Sequence, residues 1–259
     1  MNINAIILAS GCGTRMSPWS DLCPKVLFKV AGKPMLQNHS QQLLRIGSSK
    51  IIVTVHHHYE RMMRWCTAYP VLTPYHEETL LGSGGACAYI MDKFNLDRAI
   101  IVNGDTWFTD SAYDQVCEKY AETSKSFILS EPPRHYKNGL LRYNIGSLEV
   151  EEISEKSGLS DANGRNAGMI ILNRSLLEGA SGDLMSDAIP GKKIYAIPSE
   201  PSLDIGTLEN YVRMAVWGRT KDCYSSFTDV PDELVKSVCT VFTSGVGVGI
   251  FSDLGGLRG

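Results

Sequence analysis

Residues 5–36, AIILASGCGTRMSPWSDLCPKVLFKVAGKPML, constrain the fold more than any other stretch. Ile6, Ile7 and Leu8 make a short apolar run of the length expected for a buried parallel strand. The run breaks abruptly into Ser10-Gly11-Cys12-Gly13-Thr14-Arg15. With Gly11 and Gly13 lacking a Cβ, such a loop can turn tightly and aim several N–H groups at one point, a geometry that suits phosphate oxygens. Arg15 and Lys25 add fixed positive charge. A glycine pair after a strand is, taken alone, equally a tight turn, so the weight falls on the residues beyond the loop. These are a Pro24-Lys25 step, a second apolar strand over 26–30, and a Gly32-Lys33-Pro34 turn into a helix.

Composition sets the outer limits. A chain of 259 residues with a 43% hydrophobic share can bury a full core as one large domain, and two large domains would be crowded. The formal net charge of −3 gives no basic surface for nucleic acid, and the apolar runs fall well short of a membrane span, so the expectation is a cytoplasmic protein. Leu8 to Cys12 superficially imitates a lipoprotein cleavage site, but no basic segment precedes it and the apolar stretch is too short. Seven scattered cysteines, odd in number and without a Cys-x-x-Cys pair, suggest reduced thiols in place of a disulfide frame or a zinc site. Cys12 lies inside the glycine loop, where neighbouring cations favour a reactive thiolate.

Beyond the opening loop, apolar strands and helical patterns alternate for about two hundred residues, as a doubly wound α/β domain requires. The pattern predicts a helix over 34–46 with Leu36, Leu43 and Leu44 inward and Gly47 as terminator, then a strand over 51–55. His56-His57-His58 comes next. Neighbours at a strand end point to opposite faces, so the three cannot converge on one ion, and a polar strand exit is the better reading. A helix over 59–66 is expected after it. A second glycine-rich stretch, Leu81-Gly82-Ser83-Gly84-Gly85-Ala86, opens another helix, either as a flexible N-terminus or as a platform where a base or sugar packs on backbone. The strand over 99–102 ends in Asn103-Gly104-Asp105, which puts an acidic residue where open α/β sheets place ligands, although an Asp-led turn reads the same way. As a hard carboxylate, Asp105 is the first candidate to hold Mg²⁺. Further on come a strand over 127–129, a hairpin of 140–143 with 148–153, and an apolar strand over 169–172 entered from Asn166-Ala167-Gly168. Leu208, Tyr211, Val212, Ala215 and Val216 have helical spacing.

The opening stretch resembles the signature of the sugar-1-phosphate nucleotidylyltransferases, approximately L-A-G-G-x-G-T-R-L, then P-K-x-L and G-K-P-x-L. Ser10 stands in place of a usual Gly and Met16 in place of a usual Leu. The second glycine stretch resembles the family's leucine-glycine-threonine-alanine-glycine-alanine segment, which lines the nucleoside pocket. The resemblance covers about residues 1–217 and implies a Rossmann-like, doubly wound three-layer α/β fold with a mixed sheet, of the nucleotide-diphospho-sugar transferase type. It also implies roles, residue by residue. Leu8, Ala9, Ser10, Gly11, Gly13, Thr14 and Gly82 would bind nucleotide, and Arg15 and Lys25 would act on the pyrophosphate and the α-phosphate. Asn103, Glu155, Lys156 and Asn166 would hold the sugar phosphate, while Asp105 with Asp204 of the Asp-Ile-Gly-Thr segment would hold Mg²⁺. Where the family often has a proline after the Glu-Lys pair, this chain has Ser157-Gly158.

The implied activity is transfer of a nucleoside monophosphate from an NTP to a sugar 1-phosphate, and a homo-oligomer is left open. The glycine stretches and the plain Asn166-Ala167-Gly168 most resemble guanylyltransferases for mannose-type and manno-heptose 1-phosphates. GTP is then the expected donor, its base read by a backbone carbonyl or by Glu77 or Glu78. Uridylyl transfer to a hexose 1-phosphate is the alternative. A glycosyltransferase would normally show Asp-x-Asp at the strand end, which Asn103-Gly104-Asp105 is not. A sugar-sensing, non-catalytic relative would not need Arg15, Lys25, Asp105, Lys156 and Asp204, all of which are present. Residues 218–259 match nothing by resemblance. A short helix over 232–242 is expected there, and the segment is too short for the β-helical domain of larger relatives.

Overall fold

The computed structural model describes residues 3–133, 139–155, 158–220 and 232–243. Thirteen strands are described: β1 Ile3–Leu8, β2 Lys29–Val30, β3 Lys33–Pro34, β4 Ser48–Val55, β5 Leu72–His76, β6 Arg98–Asn103, β7 Thr106–Trp107, β8 Phe127–Glu131, β9 Leu140–Tyr143, β10 Val150–Ser154, β11 Gly164–Asn173, β12 Tyr195–Pro198 and β13 Leu203–Asp204. The helices are α1 Trp19–Leu22, α2 Met35–Arg45, α3 Tyr59–Thr67, α4 Gly82–Lys93, α5 Asp110–Glu122, α6 Leu208–Thr220 and α7 Asp232–Thr243. The chain divides into two units built from interleaved segments. The larger takes the chain up to Gly11, His39–Gly104 and Phe108–Ser202. The smaller takes Cys12–Asn38, Asp105–Trp107 and the described chain from Leu203 on.

The larger unit holds a nine-stranded mixed sheet. Its main path runs β10-β9-β11-β6-β1-β4-β5, with β8 paired to β11 and β12 paired to β8. β1, β4, β5 and β6 are parallel, whereas β11 runs antiparallel to β6, β8 and β9. Alternate residues of these strands point to opposite faces, and both sets are buried: Ile6, Ile52 and Ile101 on one side, Ile7, Val53 and Ile100 on the other. Only a sheet covered on both faces reads this way, which accounts for the continuous apolar runs in the sequence. One of these faces packs Ile6, Ile52, Ile101 and Ile170 against Cys87, Ile90 and Met91 of α4.

Several expected elements differ in detail. Residues 26–30 are not one strand: Pro24 leads into a 3-10 turn, Lys25–Leu27, and only Lys29–Val30 pairs, with β3. In α2, Leu36 and Leu43 are buried, but Leu44 is 45% exposed, because it falls off the apolar face by one position. Asn166 does not precede its strand but lies within β11, at an irregularity in the pairing with β8 between Asn166 and Ile170. β5, α5 and β12 had no counterpart in the sequence reading. α5 is capped by Thr109, whose side chain accepts from Ala112 N–H at 3.3 Å, an N-cap legible in Thr109-Asp110. The six described cysteines form no disulfide, Cys223 lies outside the described residues, and burial pushes the Cys66 thiol up to about 11.

A buried charge network ends β8. Glu131 is 1% exposed, and its carboxylate pairs with Arg165 and accepts from Ser202 N–H at 2.5 Å and from the Ser202 hydroxyl at 2.9 Å. The same hydroxyl also lies 3.1 Å from Ala167 O. Removing one partner of a buried pair strands the other, so Glu131→Ala should lower unfolding free energy by about 3 kcal/mol. A urea melt with a wild-type m-value and a lower midpoint is the expected result.

Candidate active site

In the larger unit the sheet itself makes a place for a ligand. β1 has β4 on one side and β6 on the other, with the crossover from β1 going to β4 and the crossover from β5 returning past β1 to β6, so the carboxyl end of β1 is a switch point of the kind where α/β sheets open a crevice. Leu8 is level with Asn103 at the ends of β1 and β6, and Gly104 N–H donates to Leu8 O at 3.0 Å. Ala9 N–H turns to Thr54 Oγ1 at 2.8 Å, and the loop emerges with Gly11 exposed. His39, fully buried, donates from Nε2 to Gly104 O at 3.1 Å, which leaves Nδ1 to accept from the Tyr113 hydroxyl at 2.6 Å. Burial pushes the Tyr113 hydroxyl far up, so it serves as a donor throughout the physiological range.

The glycines of the second stretch also make a close approach within the fold. Gly84 N–H and Gly85 N–H point at Gly182 O, at 2.9 and 3.3 Å, and a Cβ on Gly82, where φ is +75°, would overlap that same carbonyl. Ser83 donates to Asp183 at 2.7 Å and accepts from Leu184 N–H at 2.9 Å. The start of α4 is therefore packed and capped by residues 182–184, and its glycines serve that close approach. The His56 ring is tied down as well, donating from Nδ1 to Glu77 O at 2.7 Å.

Three of the expected sugar-phosphate residues come together from the ends of β6 and β10 and from β11. A Cβ on Gly139 would lie 3.7 Å from Glu155 Oε1 and 3.8 Å from both Arg165 Cγ and Asn166 Cβ. Asn166 Oδ1 accepts from Gly168 N–H at 2.9 Å, and a Cβ on Gly168 would meet Asn103 Nδ2 at 2.9 Å. Asn103, Glu155 and Asn166 thus border one surface of the larger unit, joined by Arg165, which the sequence reading did not single out. Lys156 lies outside the described residues.

The charged candidates gather in the smaller unit. β7 and β13 form an antiparallel ribbon that sets Asp204 opposite Thr106, and Ile205 N–H donates to Asp105 O at 2.8 Å. Leu203 and Ile205 are buried in a cluster with Met16, Phe28, Tyr211 and Met214, so the alternation of the strand turns Asp204 outward between them. Lys25 Nζ sits 2.5 Å from Asp105 Oδ2, both side chains only partly exposed. The Lys25 stem lies across Gly13, where φ is +68° and an added Cβ would press on Lys25 Cγ and Cδ at 3.1 Å. Arg15 lies on the side of the other carboxylate: the position of a Cβ on Gly206 is 2.7 Å from Asp204 Oδ1 and 3.0 Å from Arg15 Nη2. Gly206 had no signal in sequence beyond its place in the motif. Thr14 is exposed, at the start of the 3-10 turn Thr14–Met16.

Asp105 and Asp204 offer two oxygen donors from adjoining backbone, a set suited to Mg²⁺, which takes one or two carboxylates and completes its shell with water and phosphate. A model of the nucleotidyl transferase family matches residues 4–215. The chain belongs to that family. It is 31% identical over 186 residues to the bifunctional protein GlmU of Sulfurovum sp. (strain NBC37-1), covering 69% of this chain and 41% of that one. It is 26% identical over 187 residues to mannose-1-phosphate guanylyltransferase 1 of Arabidopsis thaliana, covering 68% and 51%. The nucleotidyl transferase region thus spans about half, or less, of these relatives' lengths. In fold it is similar to HddC from Yersinia pseudotuberculosis complexed with GMP-PN, with a TM-score of 0.68, 24% identity and coverage of 83% and 98%.

Because Gly206 leaves room between an oxygen of Asp204 and the Arg15 guanidinium, Gly206→Ala should displace one of them. kcat should fall by about tenfold to a hundredfold while the thermal midpoint moves little, as steady-state kinetics and a melt on one preparation would show.

Proposed function

We propose that this chain transfers a nucleoside monophosphate from a nucleoside triphosphate, GTP by preference, to a mannose-type or manno-heptose 1-phosphate. An oxygen of the sugar phosphate attacks the α-phosphorus in line, the bond to the β-phosphate breaks, and pyrophosphate leaves. The observation that carries the reading is the gathering of Lys25, Asp105, Asp204 and Arg15 within one small unit of a chain that belongs to the nucleotidyl transferase family. Among the described residues, no helix is long and apolar enough to cross a membrane.

Phosphoryl transfer asks little covalent chemistry of a protein, so positioning and charge placement carry the rate. Lys25, steadied by Asp105 and by the packing of its stem on Gly13, would hold the α-phosphate where charge grows. Arg15 would hold the departing pyrophosphate. Asn103, Glu155, Lys156 and Asn166 would orient the sugar phosphate, and the backbone of residues 8–14 and Gly82 would hold the nucleotide. Asp105 and Asp204 are the residues that would hold a divalent metal, Mg²⁺ by the hardness of their oxygens. Such an ion, when bound, neutralises phosphate charge.

The guanylyl preference has the narrower support. A relative named for guanylyl transfer is 26% identical, whereas the relative at 31% carries no such name, so identity does not choose the base. A guanine site must satisfy N1–H and the exocyclic amine with acceptors, and such a site rejects other bases sharply.

Lys25→Ala should lower kcat about a hundredfold, on the order of 3 kcal/mol, with a smaller change in the KM for sugar phosphate. Asp105→Asn and Asp204→Asn should each depress turnover by orders of magnitude with the fold intact by circular dichroism. Near-normal turnover in the double variant would sink the metal assignment. Pyrophosphate release should be measured for GTP, UTP, CTP and dTTP, each with mannose, heptose and glucose 1-phosphates. GTP with a manno-configured acceptor is expected to lead. Faster turnover with UTP would select the uridylyl reading, and release from no pair would favour a sensing role.

A further inference from the structure

At the carboxyl ends of β1, β4 and β5 one side chain joins three segments. Glu77, just past β5, is 4% exposed, whereas Glu78 beside it is exposed. Its main chain is fixed to the end of β4, with N–H donating to Val55 O at 2.8 Å and O accepting from His56 Nδ1–H at 2.7 Å. Its carboxylate then reaches in two directions. One oxygen accepts from the hydroxyl of Ser10, itself 9% exposed, in the loop leaving β1. The other accepts a long bond, 3.5 Å, from Leu81 N–H at the entry to α4.

We propose that Glu77 is a positioning residue for the nucleotide. Through Ser10 it fixes the course of the first glycine loop, and through Leu81 the start of the second glycine stretch, so that both present backbone to a nucleoside at a set spacing. The inference deepens the reading above and rests on it, since it takes these two stretches as the nucleotide's. The physical argument is one of satisfaction and entropy. A buried carboxylate keeps its donors because losing them leaves it desolvated and unpaired, so Ser10 is held firmly by the short bond and Leu81 more weakly by the long one. A loop rich in glycine has much conformational freedom to lose, and a loop already tied down loses less of it when ligand binds. Ser10, the departure from the usual glycine, is the residue that makes the tie.

Lost preorganisation weakens the ground state and the transition state alike, so it registers in KM and Kd and not in kcat. The test uses the full chain, with steady-state kinetics beside calorimetric titration of GTP and UTP. In Glu77→Ala and Ser10→Ala, the KM and Kd for nucleotide should rise about tenfold, with kcat lowered less than threefold and the KM for sugar phosphate unchanged. Glu77→Gln fills the same space and still offers Ser10 an acceptor, so it should recover most of the affinity, and it guards against Glu77→Ala failing to fold. Wild-type nucleotide affinity in Ser10→Ala, together with Glu77→Ala losing only thermal stability or active fraction, would overturn the proposal and leave the activity standing. A wild-type chain that binds nucleotide but turns over no pair would overturn the activity. The proposal would then stand or fall on the Kd values alone.

Discussion

β1 is hydrogen-bonded in parallel to β4 on one side and to β6 on the other, and its extended course ends where Ala9 turns to the Thr54 hydroxyl. A parallel sheet buried on both faces must satisfy every backbone group where a strand ends. The end of β1 does so with Gly104 N–H and Thr54 Oγ1, and the side chain of Ser10, next along, is tied to Glu77. These bonds hold the glycine loop at the crevice and also hold Asn103-Gly104, the last residues of the larger unit before Asp105. His39 works at the same spot from behind, its tautomer set by a carbonyl on one side and a buried hydroxyl on the other.

The smaller unit solves a separate problem, keeping charged groups together without burying them. Each charged side chain is next to an apolar anchor: Arg15 beside Met16, Lys25 beside Val26, Asp204 between Leu203 and Ile205. The anchors lock the backbone, and missing Cβ atoms at Gly13 and Gly206 let the charged side chains lie close over it. Position here comes from packing and steric room, with the ion pair as the outcome.

What was legible in sequence obeys the same physics. Strands buried on both faces leave continuous apolar runs, so β1, β4, β6 and β11 could be read, and the acidic residue at a strand end could be read from β6 into Asp105. Residues 26–30 misled because an apolar run says buried and does not say extended, and Pro24 starts a 3-10 turn there. Leu44 misled because a helix face narrower than the count of leucines leaves one outside. Glu131, Arg165 and Ser202 had no local signature at all. They are tens of residues apart, and a buried carboxylate is visible only when its donors are. The paired roles of Ser10 and Glu77 were hidden for the same reason.

The contact between Gly82 and Gly182 has a consequence for how such chains vary. The carbonyl of one occupies the space of a side chain on the other, and Gly182 itself, at φ +72°, would place a Cβ against Asp187. Two positions a hundred residues apart are therefore a single steric unit. A lineage that acquires a side chain at the first must rebuild the loop at the second, so sequence drift at the two sites is expected to be correlated, and grafting one loop between relatives without the other should yield a chimera whose α4 starts in the wrong place.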